Sequence, residues 1–184
     1  MKKLIAIALA LCVICSFAAC GNTNNEPEVK LPASALEILE TVWATYGEDE
    51  MFFAMGGGYE SLTDNKPGAV LATDTDSLQY MLLVPEAELA NISEAASLLH
   101  AMNANTFTSG AFKVADAAAF TTAMQTAIQG NMWMCGFPEQ LVIFTFGNEF
   151  VVYAFGNGEL VANFQAKLAA AYPDAVLAVN EPIV

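Results

Sequence analysis

Two runs near the C-terminal end, LVIFTF at 141–146 and FVVYAF at 150–155, constrain this chain most. Each is rich in β-branched and aromatic residues. Gly147 and Asn148 between them are a tight-turn pair, so the runs read as a β-hairpin. Successive side chains of a strand point to opposite faces. Here Leu141 and Ile143 would face one way, Val142, Phe144 and Phe146 the other. A hairpin that is apolar on both faces belongs in mid-sheet, with other layers covering both sides. If Gly147 and Asn148 are the whole loop, Phe146 opposes Glu149, Phe144 opposes Val151 and Val142 opposes Tyr153.

Helical signals surround the hairpin. Ser34-Ala35-Leu36-Glu37 has the form of a capping box. Leu36, Leu39, Trp43 and Tyr46 then recur at spacings of three and four, and Gly47 is a natural stop, which predicts a helix over 34–46. Asn91-Ile92-Ser93-Glu94 is a similar start; Ile92, Ala95, Ala96, Leu99 and Met102 predict a helix over 92–103. Asp116 caps a third helix running to Gln129, with Gly130 as its stop. Asn157 caps a fourth over 158–172, where Leu160, Phe164, Leu168 and Tyr172 recur every four residues before Pro173. Strands are expected at 69–73, 78–84 and 106–114, with a closing strand at 175–179, and 51–55 is a short strand or a buried loop. The sum is an α+β domain, a mainly antiparallel sheet with about four helices packed on it.

The N-terminus follows different rules. Lys2 and Lys3 precede an unbroken apolar run that ends in Phe17-Ala18-Ala19-Cys20. That order reads as a signal peptide over 1–19. The tripeptide and cysteine resemble the lipobox of bacterial lipoproteins, with Phe17 where leucine is usual. The resemblance implies that Cys20 carries a diacylglyceryl group and becomes the new N-terminus. Two acyl chains anchor stably, at about 0.8 kcal/mol per buried methylene. A plain secretory signal is the rival, and a retained span is disfavoured by the short run. Residues 20–32 read as lipidated cysteine plus polar tether, and 33–184 as one globular domain. The expected location is the outer face of the cytoplasmic membrane.

After Cys20, four lysines oppose twenty carboxylates, a formal charge of −16, and there is no arginine. Such a surface argues against nucleic acid, where Lys and Arg neutralise phosphates. It also argues against docking of the folded domain on anionic lipid. Cys135 alone is left for disulfide chemistry, so no intramolecular bridge is expected and the fold must rest on its core.

Reactive motifs are sparse, and no cofactor or metal site is implied. Gly56-Gly57-Gly58 lacks the helix and lysine of a phosphate loop, and 73–77 lacks the later ligands of a calcium loop. His100 is the only histidine and reads as a helix C-terminal residue; Cys135, in an apolar stretch, reads as a buried and inert thiol. The segment 131–138 is the best candidate interaction surface, through Met132, Trp133, Met134 and Phe137, since Trp and Met favour recognition surfaces. Its rival reading is a loop that seals the core edge.

The block from Asn103-Ala104-Asn105-Thr106-Phe107-Thr108, through 133–138 and the Gly147 hairpin, to Ala154-Phe155-Gly156-Asn157 resembles small uncharacterised lipoproteins of Gram-positive bacteria. The resemblance covers the second half of the chain. It implies location and a compact mixed α/β domain, and carries over no catalytic residue. The expected function is therefore non-catalytic binding of a partner protein or small molecule. The alternative is an extracytoplasmic hydrolase using carboxylates, whose mark would be a pair of facing acids in one deep cleft.

Overall fold

The computed structural model describes residues 31–184; the expected signal peptide over 1–19, Cys20 and the expected tether as far as residue 30 lie outside the described residues. Along the chain come α1 (Ala35–Trp43), β1 (Ala54–Gly56), β2 (Thr63–Asp64), β3 (Gly68–Val70), β4 (Ile92–His100), β5 (Phe107–Val114), α2 (Ala117–Gln129), β6 (Gln140–Phe146), β7 (Phe150–Gly156), α3 (Gly158–Ala171) and β8 (Val176–Pro182). The strands form one sheet in the order β2-β1-β4-β5-β7-β6-β8, with β3 also paired to β4, and these pairings are antiparallel. The fold is α+β with an antiparallel eight-stranded sheet.

The hairpin lies in mid-sheet and is covered twice. Val142, Phe144 and Phe146 of β6 face a core closed by Ile38, Leu39 and Val42 of α1 and by Val161, Phe164 and Leu168 of α3. Leu141, Ile143, Val151 and Tyr153 face a second core closed by Phe120, Met124 and Ile128 of α2 and by Leu78 and Leu82. The helices cover the two faces because their apolar stripes need a partner, and the two-faced hairpin supplies one on each side. Beyond the end of α1, Lys167 of α3 donates to Glu50 at 2.8 Å, which holds that carboxyl below its usual range.

The hairpin register differs from the expected one by a residue. Phe146 pairs with Phe150, Phe144 with Val152 and Val142 with Ala154, so the loop is Gly147, Asn148 and Glu149. Gly147 takes φ 55, and Asn148 turns its Oδ1 to accept from the Ala117 amide at the start of α2, at 3.3 Å. The slip matters because one residue reverses a strand's faces. In the two-residue register Phe144 would share a face with Val151, yet Phe144 belongs to the α1/α3 core and Val151 to the α2 core.

Two other expectations are corrected. Residues 92–103 are not a helix: Ile92–His100 is the strand β4, paired to β5 along most of its length. Ala96 and Leu98 enter one core and Ala95 the other, so a strand buried on both faces shows no alternation. Small alanines then mimic a helical stripe. Asn91 is no helix cap; its Oδ1 accepts from the Ala115 and Asp116 amides and ties the start of β4 to the end of β5. The expected strand at 78–84 is instead a single wide helical turn, Ser77–Met81, whose Leu78 packs with Leu82 and Val84 against α2.

The capping signals held where the helices are real. Asp116 accepts from the Ala118 and Ala119 amides, each at 3.1 Å. Asp116→Ala is expected to lower stability by about 1 kcal/mol in urea unfolding, with Asp116→Asn close to the parent.

Candidate functional site

The end of β4 opens a cleft. Leu99 and His100 lead into the connection 101–106, which crosses to β5 and carries a short 3-10 turn at Ala104–Thr106. Opposite stand the turn Ser77–Met81 and the loop 131–138. Between them is a depression of ≈ 700 Å³. Its floor includes Leu99, Thr108 and Phe155; its walls include Tyr59, Leu62, Tyr80 and Met81 on one side and Met132, Trp133 and Met134 on the other.

Polar atoms fix both walls. Loop 131–138 has no regular partner, and its carbonyls need donors. Asn103 Nδ2 donates to the Cys135 carbonyl at 2.7 Å, and Asn105 Nδ2 to those of Met134 and Gly136 at 2.9 and 3.2 Å. This clamp holds Cys135 at φ 61 and Gly136 at φ 147. The facing wall hangs on Tyr153, whose buried hydroxyl donates to the Leu82 carbonyl at 2.6 Å. Ser77 adds a second tie: its Oγ accepts from the Tyr59 amide at 2.8 Å and donates to Asp74. The walls meet through rings, for Trp133 packs on Phe155 at 5.1 Å and Phe155 stacks on Tyr153 at 6.0 Å.

Three of the four proposed surface residues meet in this cleft. Met132 and Met134 are 90% and 78% exposed, far from sealing a core edge. Trp133 is half-buried against the α2 core, with its Nε1 buried and unpartnered. Phe137, also exposed, lies outside the cleft in a smaller depression beside Asn105, Glu139 and Asn157. Sequence reasoning missed Tyr80 on the opposite wall and Met102 on the connection clamped to the 131–138 loop. Tyr80 is 72% exposed and Met102 77%, but Tyr80 fell within an expected strand and Met102 on an expected helix face. Neither carried a local signal: the stripe that ends at Met102 is regular enough to read as a helix.

His100 and Cys135 are also corrected. His100 ends a strand rather than a helix, stacks on Phe52 at 5.6 Å and accepts at Nδ1 from the Met102 amide at 3.3 Å. A neutral ring so held carries its proton on Nε2. Cys135 is exposed, since the clamp holds the loop backbone and leaves the side chain outside. His100 lines the cleft and Cys135 does not.

The cleft's chemistry is that of a neutral site. His100 is its one titratable side chain besides the tyrosines; no carboxylate or lysine lines it, although the domain is strongly acidic. Facing acids for hydrolysis are therefore not brought together here. Among the described residues, no three His, Cys, Asp or Glu side chains converge as a metal centre of those ligands requires. No helix among the described residues is long and apolar enough to cross a membrane. Neither a family model, nor a curated protein, nor a solved structure matches the chain.

Proposed function

We propose that this chain is a non-catalytic binding domain, held by lipidated Cys20 at the outer face of the cytoplasmic membrane, and that the cleft takes its ligand. That ligand is an uncharged small molecule or an apolar segment of a partner protein. One observation carries the reading: large apolar side chains stand exposed around a concave, carboxylate-free site in an otherwise acidic domain. Ligand sites combine such apolar lining with a few fixed polar groups, and exposed apolar surface gathered in one place marks interaction. The lipobox-like Phe17-Ala18-Ala19-Cys20 supports the anchor.

A neutral apolar dye, Nile red, tests the cleft. The parent is expected to bind it with a blue shift. Tyr80→Ser with Met132→Ser should weaken binding about tenfold, the loss of about 1.4 kcal/mol. Ala123→Ser, on the outer face of α2, should leave it unchanged. Equal binding by all three would place the apolar site elsewhere. For the anchor, Cys20→Ser is expected to abolish acyl labelling, and retained labelling would remove it.

A further inference from the structure

We propose that the mouth of this cleft binds a soft monovalent cation, Cu(I), through the thioethers of Met102, Met132 and Met134. The inference rests on the cleft being a ligand site and adds, at its mouth, a second and charged ligand beside the uncharged one that the apolar lining takes. Five of the seven described methionines line the cleft, against three of fifteen leucines and one of eleven phenylalanines. Leucine and phenylalanine are as apolar as methionine, so the cleft concentrates thioether sulfur rather than hydrophobicity in general. Of the described methionines, Met124 alone is fully buried, and Met81 packs partly buried against the same core.

Sulfur donors of this kind select Cu(I), while carboxylates and carbonyls suit hard cations. The lining holds no carboxylate to recruit Ca²⁺ or Mg²⁺. His- and Cys-rich ligand sets are absent among the described residues, so nothing there favours Zn²⁺.

Geometry supports the three named residues. Met102 leaves β4 just before Asn103 and Asn105, whose side chains clamp the backbone carbonyls of 134–136. The three thioethers thus stand on two loops tied to each other at one mouth. All three are more than three-quarters exposed, with lone pairs free and flexible stems able to adjust to an ion. Trp133 lies between two of them in the chain, so its fluorescence reports on the mouth. The acidic domain raises the local concentration of any cation. His100 has its Nδ1 committed to the Met102 amide and positions that residue rather than ligating.

The test uses the chain extracted from its own membranes in detergent, without oxygen, with Cu(I) supplied in ascorbate against bicinchoninate. One Cu(I) per chain is expected, with quenching of tryptophan fluorescence. The variant M102L/M132L/M134L keeps the apolar volume and should lose copper affinity at least tenfold, with its circular dichroism and urea midpoint unchanged. C135S should bind copper as the parent does, and Zn²⁺ should not displace it. Absent copper binding with Nile red binding intact would overturn the proposal and leave the cleft as an apolar site. Loss in C135S with the triple variant unaffected would overturn it in favour of a thiol site. Failure of both ligands on the parent would remove the cleft reading as well.

Discussion

Gly156→Ala is expected to destabilise the domain by about 3–5 kcal/mol, a large share of the whole stability of a chain this size. Gly156 ends β7 with φ 145, a region that residues with a Cβ enter only under strain. The added methyl would also meet the Thr106 carbonyl oxygen at 2.3 Å and the Phe107 Cα at 2.8 Å. These are backbone atoms, so no side chain can swing aside. Three segments cross there: the Gly156 carbonyl accepts from the Glu139 amide, and the Thr106 carbonyl accepts from Asn157, both at 2.8 Å. Relief in one place displaces the others, including Phe155 on the cleft floor. Urea unfolding followed by circular dichroism measures the loss. Gly130→Ala is the control, with an ordinary φ and its nearest contact at 3.1 Å; it should change stability by less than about 1 kcal/mol. A Gly156→Ala midpoint matching that control would mean the crossing is looser than its distances imply.

That crossing was not legible in the sequence, and the reason is general. Local signals predict elements whose stability is local. The caps at Ser34, Asp116 and Asn157 were readable because each side chain accepts from amides two or three residues on. The hairpin's place in mid-sheet was readable because two apolar faces leave no other. What failed was decided by partners far along the chain. Ile92–His100 has a passable helical period, but β5 and the short strands β1 and β3 supply backbone partners that a helix would forgo. Asn148 lengthened the loop through a contact to α2. The cleft shows the same division. Met132, Trp133 and Met134 announced one wall by composition. The other wall became a wall only when Tyr153 and Ser77 pinned the 77–82 turn beside it. A site shared by segments fifty residues apart in the chain leaves no local pattern.

Tyr153→Phe is expected to lower stability by about 1–2 kcal/mol at neutral pH and to flatten the alkaline limb of the stability profile. The hydroxyl is fully buried and donates to the Leu82 carbonyl; without it that acceptor is left unpaired. Burial also pushes the Tyr153 phenol well above its ordinary value, because the ionised form would lose its water. In the unfolded chain the same phenol ionises near pH 10. Above that pH the unfolded state releases a proton that the folded state keeps, so stability falls as pH rises. The contribution is complete below about pH 10 and is lost above it, at about 1.4 kcal/mol per pH unit for each such tyrosine. Tyr46 and Tyr172, also raised by burial, keep their share in the variant. Urea midpoints of parent and variant, taken from pH 7 to 11.5, should therefore converge as the pH rises. Parallel profiles would mean that Tyr153 ionises as readily folded as unfolded, which a buried, donating hydroxyl cannot do. The same variant reaches the site, since Leu82 follows the turn that carries Tyr80 and Met81. Nile red affinity should fall with the pinning even at pH 7, where the domain stays folded.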